Sequence, residues 1–356
     1  MILRKLPLFL CLCLLLGAPL TAAAAKPPET LSAECAVLTD AATGRVLFSK
    51  NADKRHPMAS TTKIMTALVA LEACPLDTVV TVHPAAVGVE GSSVYLKPNS
   101  RYTMEALLYA LLLQSANDAA EAIAYAVAGS VPAFVDLMNA KAAALGLTDT
   151  HFDNPHGLDG DTHYTTAAEL ADITRAALEL PDLQRIVATR RYVFATVEGE
   201  EARTLINHNK LLHLYDGAVG VKTGFTKRCG RCLVSAASRD GLTLIAVTLD
   251  APSDWHDHTA MLDYGYSTLE SRLLAEPFSL TLTVPVFGKD TAVRVTNSEE
   301  IRITLDRSAT SPQPVYELFP APPLPVPKGA LAGYVRYTTP DGHTVTSPLI
   351  YAESID

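Results

Sequence analysis

Three short stretches place serine, lysine and asparagine side chains at spacings that suit acyl transfer: Ser60-Thr61-Thr62-Lys63, Ser115-Ala116-Asn117 and Lys222-Thr223-Gly224. Ser60 and Lys63 are three residues apart, so on a helix they share a face with about 5–6 Å between their Cβ atoms. A serine hydroxyl attacks poorly until a base takes its proton, and a partly desolvated lysine beside another cation can do so. A helix N-terminus at Ser60 would add positive potential and free N–H groups for an oxyanion. On a strand, Lys222 and Gly224 point one way and Thr223 the other, and the glycine lets an extended substrate approach the backbone. Together the stretches describe serine acyl transfer without a histidine base.

Each stretch alone is weak evidence. Ser49-Lys50-Asn51 repeats the Ser-x-Asn pattern and reads as the end of a surface strand. Ser115 and Asn117 differ from it by setting, because they interrupt two apolar helical runs where polar groups need a cleft to face. Asp118 is expected to cap the second of those helices. Asp254-Trp255-His256-Asp257-His258 looks like a ligand cluster, yet His256 and His258 are two apart on a helix and face apart, so these polar residues are expected at the surface. His151, His156 and His163 lie in a Gly/Asp/Asn-rich loop and read as loop hydrogen-bonders. Cys229-Gly230-Arg231-Cys232 has redox or zinc spacing without a βαβ context or a second close pair, leaving a local disulfide and two free thiols both open.

Residues 1–25 carry Arg4 and Lys5, an apolar run over 6–20 and a small-residue stretch ending at Ala25. That order is the pattern of a secretory leader, and the apolar run is short against the ~20 residues of a membrane span. Losing Arg4 and Lys5 takes the formal charge from −9 to −11, which argues against a nucleic acid partner. Any anionic substrate must therefore meet a local cation.

A hairpin is expected over 35–50, helices over 64–71, 104–114, 119–127, 133–145 and 254–269, and strands over 191–196, 220–223, 233–237 and 242–249. Strands at both ends with helices between them make an α+β unit, placed at 30–275. Short β-like runs separated by Phe287-Gly288-Lys289-Asp290, a proline-rich stretch over 312–327 and Pro340-Asp341-Gly342 make residues 276–356 a small all-β unit.

The order and spacing of the three stretches resemble the penicillin-recognising serine enzymes. The flanking sequence is similar to one branch, the low-molecular-weight D-alanyl-D-alanine carboxypeptidases. The likeness runs through Ala59 to Thr66, Gly91-Ser92-Ser93, Ser115-Ala116-Asn117-Asp118-Ala119-Ala120, Asn154-Pro155-His156-Gly157-Leu158-Asp159 and Gly220-Val221-Lys222-Thr223-Gly224-Phe225-Thr226. It implies an antiparallel sheet with a helical cluster, followed by a β-rich unit. It also implies Ser60 as nucleophile, Lys63 as base, Ser115 as proton relay and Asn117 as holder of the substrate amide. Lys222, aided by Thr223, would meet the terminal carboxylate, and the N–H groups of Ser60 and Phe225, beside Gly224, would form the oxyanion hole.

The implied substrate is a peptidoglycan stem peptide ending in D-Ala-D-Ala, with β-lactams as inhibitors and no metal or cofactor. Cross-link endopeptidase or transpeptidase activity and a slowly turning over penicillin sensor are the alternatives. A β-lactamase of the glutamate-dependent class is disfavoured, since Glu169-Leu170-Ala171-Asp172 reads as a helix continuing from a Thr165-Thr166 cap. With Ser354-Ile355-Asp356 following directly on a strand-like run, no C-terminal membrane anchor is seen, and a soluble exported enzyme is expected.

Overall fold

A computed structural model describes residues 26–286, 288, 290–320 and 324–355. The expected leader lies outside the described residues, as do Phe287 and Lys289 of one expected turn and residues 321–323 of the proline-rich stretch.

The central sheet is antiparallel, in the order Val46–Lys50, Cys35–Asp40, Leu242–Leu249, Gly230–Arg239, Ala218–Thr226. Its middle is closed by segments about 200 residues apart in sequence, with Cys35 opposite Leu249 and Asp40 opposite Leu244. The side-chain alternation of strands explains how one strand serves two cores. Val37, Val234 and Val247 face the main helical cluster with Ile64, Leu68 and Ile173. Leu38, Leu233 and Leu244 face Met261 and Leu262 of the helix Asp254–Thr268. A Cβ at Gly265 would sit 2.5 Å from a Leu244 methyl, so glycine sets how closely that helix lies on the sheet.

Met104–Leu113 is buried on nearly every side and is capped by Thr103, whose hydroxyl accepts from Ala106 N at 3.1 Å. The next helix, Asn117–Ala128, starts two residues earlier than expected, with Ala116 at its N-cap. Asp118 is therefore no cap. Its buried carboxylate instead accepts from Ser93 Oγ at 2.6 Å, Val94 N at 3.1 Å and Leu96 N at 2.9 Å, pinning the 93–96 loop to the helix start. Thr166 does cap Ala167–Leu178, accepting from Glu169 N at 3.1 Å.

The architecture is α+β, with an all-β C-terminal portion ordered Leu282–Pro285, Ala292–Asn297, Thr344–Tyr351, Leu331–Thr338, Pro314–Leu318. Five strands escaped the sequence reading, three of them the short Val79–Thr81, Arg101–Thr103 and Arg203–Ile206. Pro314–Leu318 lies inside the proline-rich stretch and is tolerated there as an edge strand that begins at its proline. Leu269–Ala275 follows the long helix directly and pairs with Ile301–Asp306. Among the described residues, no single helix is long and apolar enough to cross a membrane.

Asp118→Ala would strand two buried backbone N–H donors and is expected to cost about 2–4 kcal/mol. Urea denaturation checks this, and a midpoint equal to that of the wild type would remove the anchoring role.

Candidate active site

The strand Ala218–Thr226 is the sheet's edge, and the short 3-10 turn Ala59–Thr62 packs against it. A Cβ at Gly224 would sit 3.1 Å from Ser60 N, so the glycine is what allows this approach. Ala59 takes a left-handed φ of 47°, which a non-glycine residue adopts at a cost, and turns Ser60 toward the cleft. Gly157, itself at φ +89°, lies directly behind: a Cβ there would be 2.0 Å from Ala59 O.

Ser60 and Lys63 meet as expected, with Lys63 Nζ 3.0 Å from Ser60 Oγ. They do so across the junction between the 3-10 turn and the helix Lys63–Ala73. The Lys63 side chain is completely buried. Its Nζ has two further partners, Asn117 Oδ1 at 2.7 Å and the His156 carbonyl at 2.5 Å. Asn117 cannot present its amide the other way, because its Nδ2 donates to Glu90 O at 2.6 Å. Both of these partners can only accept. A neutral amine has two N–H bonds for them, and its lone pair is left for the hydroxyl proton of Ser60.

The electrostatics favour that neutral form. Burial first, then the Lys222 charge, push the Lys63 amine well below the usual lysine range, with Asp118 pulling the other way. Lys222 is itself buried and is pushed down to about 7 by burial. Its Nζ donates to Thr223 O at 2.7 Å.

The His156 carbonyl belongs to a tightly wound loop. Asn154 Oδ1 accepts from His156 N at 3.2 Å and Gly157 N at 2.7 Å, while its Nδ2 donates to Leu158 O at 2.9 Å. Thr66 Oγ1 donates to Pro155 O at 2.6 Å, tying the loop to the Lys63 helix. The useful atom of His156 is thus its backbone oxygen, which residue-type reasoning did not consider.

Ser60, Ser115, Thr223 and Phe225 line a cleft of about 360 Å³. Ser115 enters it from the helix break at a left-handed φ of 59°. Phe225 is 64% exposed at the rim. Lys222 and Asn117 stand behind this lining rather than in it. A larger cavity of about 620 Å³, between Ala41 and Arg185, contains none of these groups.

Sequence reasoning missed the opposite wall, which holds His208, Lys210, Arg231 and Trp255. Arg231 Nε and Nη2 donate to Asp254 Oδ2 at 3.0 and 2.8 Å, and its guanidinium lies over the Trp255 ring at 5.9 Å. Arg231 had been noticed only as a spacer between cysteines. Asp254 and His258 are buried, against the expected surface position. His258 bonds Ser235 Oγ at 2.6 Å and Thr248 Oγ1 at 2.9 Å, so both ring nitrogens are engaged. His163 bonds Thr62 Oγ1 at 2.7 Å and Asp153 N at 3.0 Å, as a loop hydrogen-bonder. Cys229 and Cys232 are free thiols with sulfurs 3.1 Å apart.

A serine paired with a buried, neutralised lysine beside an edge strand defines a serine acyl-transfer enzyme. The chain matches the family described as D-alanyl-D-alanine carboxypeptidase over residues 21–253. It is 33% identical to the D-alanyl-D-alanine carboxypeptidase DacF of Bacillus subtilis, over 76% of this chain and 72% of that one. It is 31% identical to DacC of Escherichia coli, over 96% and 90% respectively. Penicillin binding protein 5 from Haemophilus influenzae superposes with a TM-score of 0.68 at 27% identity, covering 93% of this chain and 99% of that one. The chain belongs to the D-alanyl-D-alanine carboxypeptidase family of serine peptidases.

Two outcomes follow from the geometry. Gly157→Ala must displace Ala59 and is expected to reduce Ser60 acylation by at least about 100-fold, since small misplacements of a reacting group are that costly; an unchanged rate would contradict the contact. A buried lysine with a depressed pKa binds its proton more readily when unfolded, so stability climbs with pH above about 7, where the folded Lys222 deprotonates, toward the unfolded pKa near 10.4. The urea midpoint should rise between pH 7 and 9, and Lys222→Met should flatten that rise; an equal slope in both proteins would contradict the burial of the charge.

Proposed function

We propose that this chain removes the terminal D-alanine from peptidoglycan stem peptides ending in D-Ala-D-Ala, through an ester formed on Ser60. The observation that carries the reading is the three-partner setting of Lys63 Nζ, which leaves a lone pair for the serine proton. Family membership sets the substrate class.

The peptide lies extended along the free edge of Ala218–Thr226, with its scissile carbonyl oxygen between the N–H groups of Ser60 and Phe225. The Ser60 N–H is among the first donors of a helical turn, which lack intrahelical partners. Lys63 takes the hydroxyl proton as Oγ attacks, and the developing oxyanion is held by the two N–H groups, each worth ~10²–10³ in rate in comparable sites. Ser115 relays that proton from the Lys63 ammonium to the departing amine, so that D-alanine leaves and Lys63 is neutral again. Lys63 then activates water, and hydrolysis of the ester restores Ser60. Asn117, expected from the resemblance to hold the substrate amide, stands behind the cleft lining and holds the Lys63 amine with its carbonyl.

The substrate carboxylate is received by the Thr223 hydroxyl and the Arg231 guanidinium. Lys222, buried behind Thr223, adds attraction from below and keeps Lys63 neutral. The doubly bonded Asp254 partner supports this assignment, because it fixes the Arg231 fork at the cleft wall. A β-lactam presents a similar carboxylate and carbonyl, and its opened ring stays attached to Ser60.

Export to the cell wall fits the leader-like residues 1–25. A division into a catalytic unit over 30–275 and a β-rich unit over 276–356 is supported by the separate apolar cluster that includes Ala275, Val293 and Tyr351.

Incubation with a pentapeptide ending in D-Ala-D-Ala should release one D-alanine per peptide, and Ser60→Ala should abolish release. Lys63→Arg, which keeps a charge but cannot act as a base near neutral pH, should slow acylation by at least about 10². Acylation of Lys63→Arg at the wild-type rate would overturn the base assignment. Release only from cross-linked dimers would overturn the carboxypeptidase reading. Arg231→Ala should mainly raise KM, and an unchanged KM would contradict its carboxylate role.

A further inference from the structure

Both ring nitrogens of His258 in the helix Asp254–Thr268 are consumed by hydrogen bonds, but a different set of ligand-type side chains converges elsewhere. Side-chain ligand atoms of Glu34, His56 and Asp250 all lie within 4.8 Å of one another. These residues are distant in sequence. Glu34 precedes the strand Cys35–Asp40, Asp250 follows Leu242–Leu249, and His56 precedes the turn that carries Ser60.

His56 is already oriented as a ligand. Its Nδ1 lies 2.8 Å from Pro57 O, an atom that can only accept, so Nδ1 carries the proton. In the neutral ring, Nε2 is then a lone pair. Histidines that bind metals are held in this way, with the other nitrogen donating to a carbonyl or carboxylate. The ring is buried, and the backbone is fixed on both sides by Thr165, with His56 N to Thr165 O at 2.8 Å and Thr165 N to His56 O at 3.1 Å. Its Nε2 makes no hydrogen bond and faces Glu34 Oε2 at 3.8 Å.

The carboxylates are equally constrained. Glu34 N donates to Asp250 O at 2.9 Å, which fixes the two residues side by side at the sheet margin. Asp250 adopts a left-handed φ of 50°, and its carboxylate accepts no side-chain or backbone hydrogen bond from the described residues. Gly230 leaves room for that carboxylate, because a Cβ there would be 2.0 Å from Asp250 Oδ1. Lys54 occupies Glu34 Oε1, and Oε2 remains available. Lys54 pairs with Glu34 and the nearby Lys50 ammonium is held by Leu31 O and Ala33 O, which leaves the Asp250 carboxylate beside the imidazole nitrogen.

We propose that Glu34, His56 and Asp250 bind a borderline divalent cation of the zinc class, with water in the fourth position. One imidazole and two carboxylates form a donor set of that kind, whereas magnesium prefers oxygen alone. Bonds of about 2.0–2.2 Å around a tetrahedral ion separate its ligands by roughly 3.3–3.6 Å, which small side-chain rotations from the present spacing reach. The ion cross-links one margin of the central sheet, where Cys35–Asp40 begins and Leu242–Leu249 ends, to the segment entering the Ser60 turn. Its role is structural, and its binding energy adds to folding.

The test is equilibrium dialysis of the chelator-treated protein against Zn²⁺, with Mg²⁺ as a parallel arm and thermal unfolding recorded with and without Zn²⁺. The buried Cys229–Cys232 thiol pair is the competing site and is removed in Cys229→Ser/Cys232→Ser. One Zn²⁺ per chain and a raised Tm are expected in the wild type and in the thiol-free variant. His56→Gln and Asp250→Asn should each weaken binding at least about tenfold. If either fails to fold by circular dichroism, Glu34→Gln at the half-exposed rim supplies the same comparison. Failure to bind Zn²⁺, binding lost with the thiols, binding unaffected by the ligand variants, or equal affinity for Mg²⁺ would each overturn the proposal.

Discussion

A primary amine can serve as a base near neutral pH only if it is kept out of water and its N–H bonds are satisfied. That constraint on Lys63 organises the site. Desolvation removes the favourable hydration of the ammonium form, and the second cation at Lys222 makes a further positive charge costly. Two acceptor-only partners, Asn117 Oδ1 and His156 O, then fix the direction of the lone pair. Removing any of these leaves a lysine, but not one aimed at Ser60.

Each partner comes from a different part of the chain, so the constraint reaches into the fold. Asn117 arrives through a break between two buried helices, and Asp118 beside it holds the 93–96 loop in place. His156 O is delivered by a loop wound around Asn154 and tied to the Lys63 helix by Thr66. Lys222 comes from the sheet edge, which exists only because Cys35–Asp40 has closed onto Leu242–Leu249. Gly157 and Gly224 let backbones approach where any side chain would force the serine turn away. The site is a product of long-range closure rather than of one local motif.

Much of this was legible in the residue order. Periodicity located most helices and strands, because apolar repeats of 3.6 and 2 reflect which faces are buried. Ser60, Lys63, Ser115, Asn117 and the Lys222 strand stand out in the sequence because their residue types and spacing suit acyl transfer, and the structure brings Ser60, Lys63 and Asn117 within hydrogen-bonding reach of one another. What escaped notice has physical reasons. The contribution of His156 is a carbonyl, common to every residue and marked by nothing in its type. Arg231 acquires meaning only when Asp254 and Trp255, more than 20 residues later, fold beside it. His258 resembled a surface residue because polar side chains usually are, yet two hydroxyls satisfy it in the core. The strand Leu269–Ala275 has no alternation of its own burial to announce it and is half-buried almost throughout.

The proposed chemistry requires Lys63 to be a neutral amine when the folded enzyme meets its substrate. It is tested most directly by NMR titration of the lysine Cε resonances, with Lys63 assigned by its loss in Lys63→Arg. Lys63 is expected to titrate well below the ordinary lysine range, and Lys222→Met to move it upward by removing the neighbouring charge. A Lys63 resonance that titrates at the same pH as the exposed lysines, and is indifferent to Lys222, would contradict it.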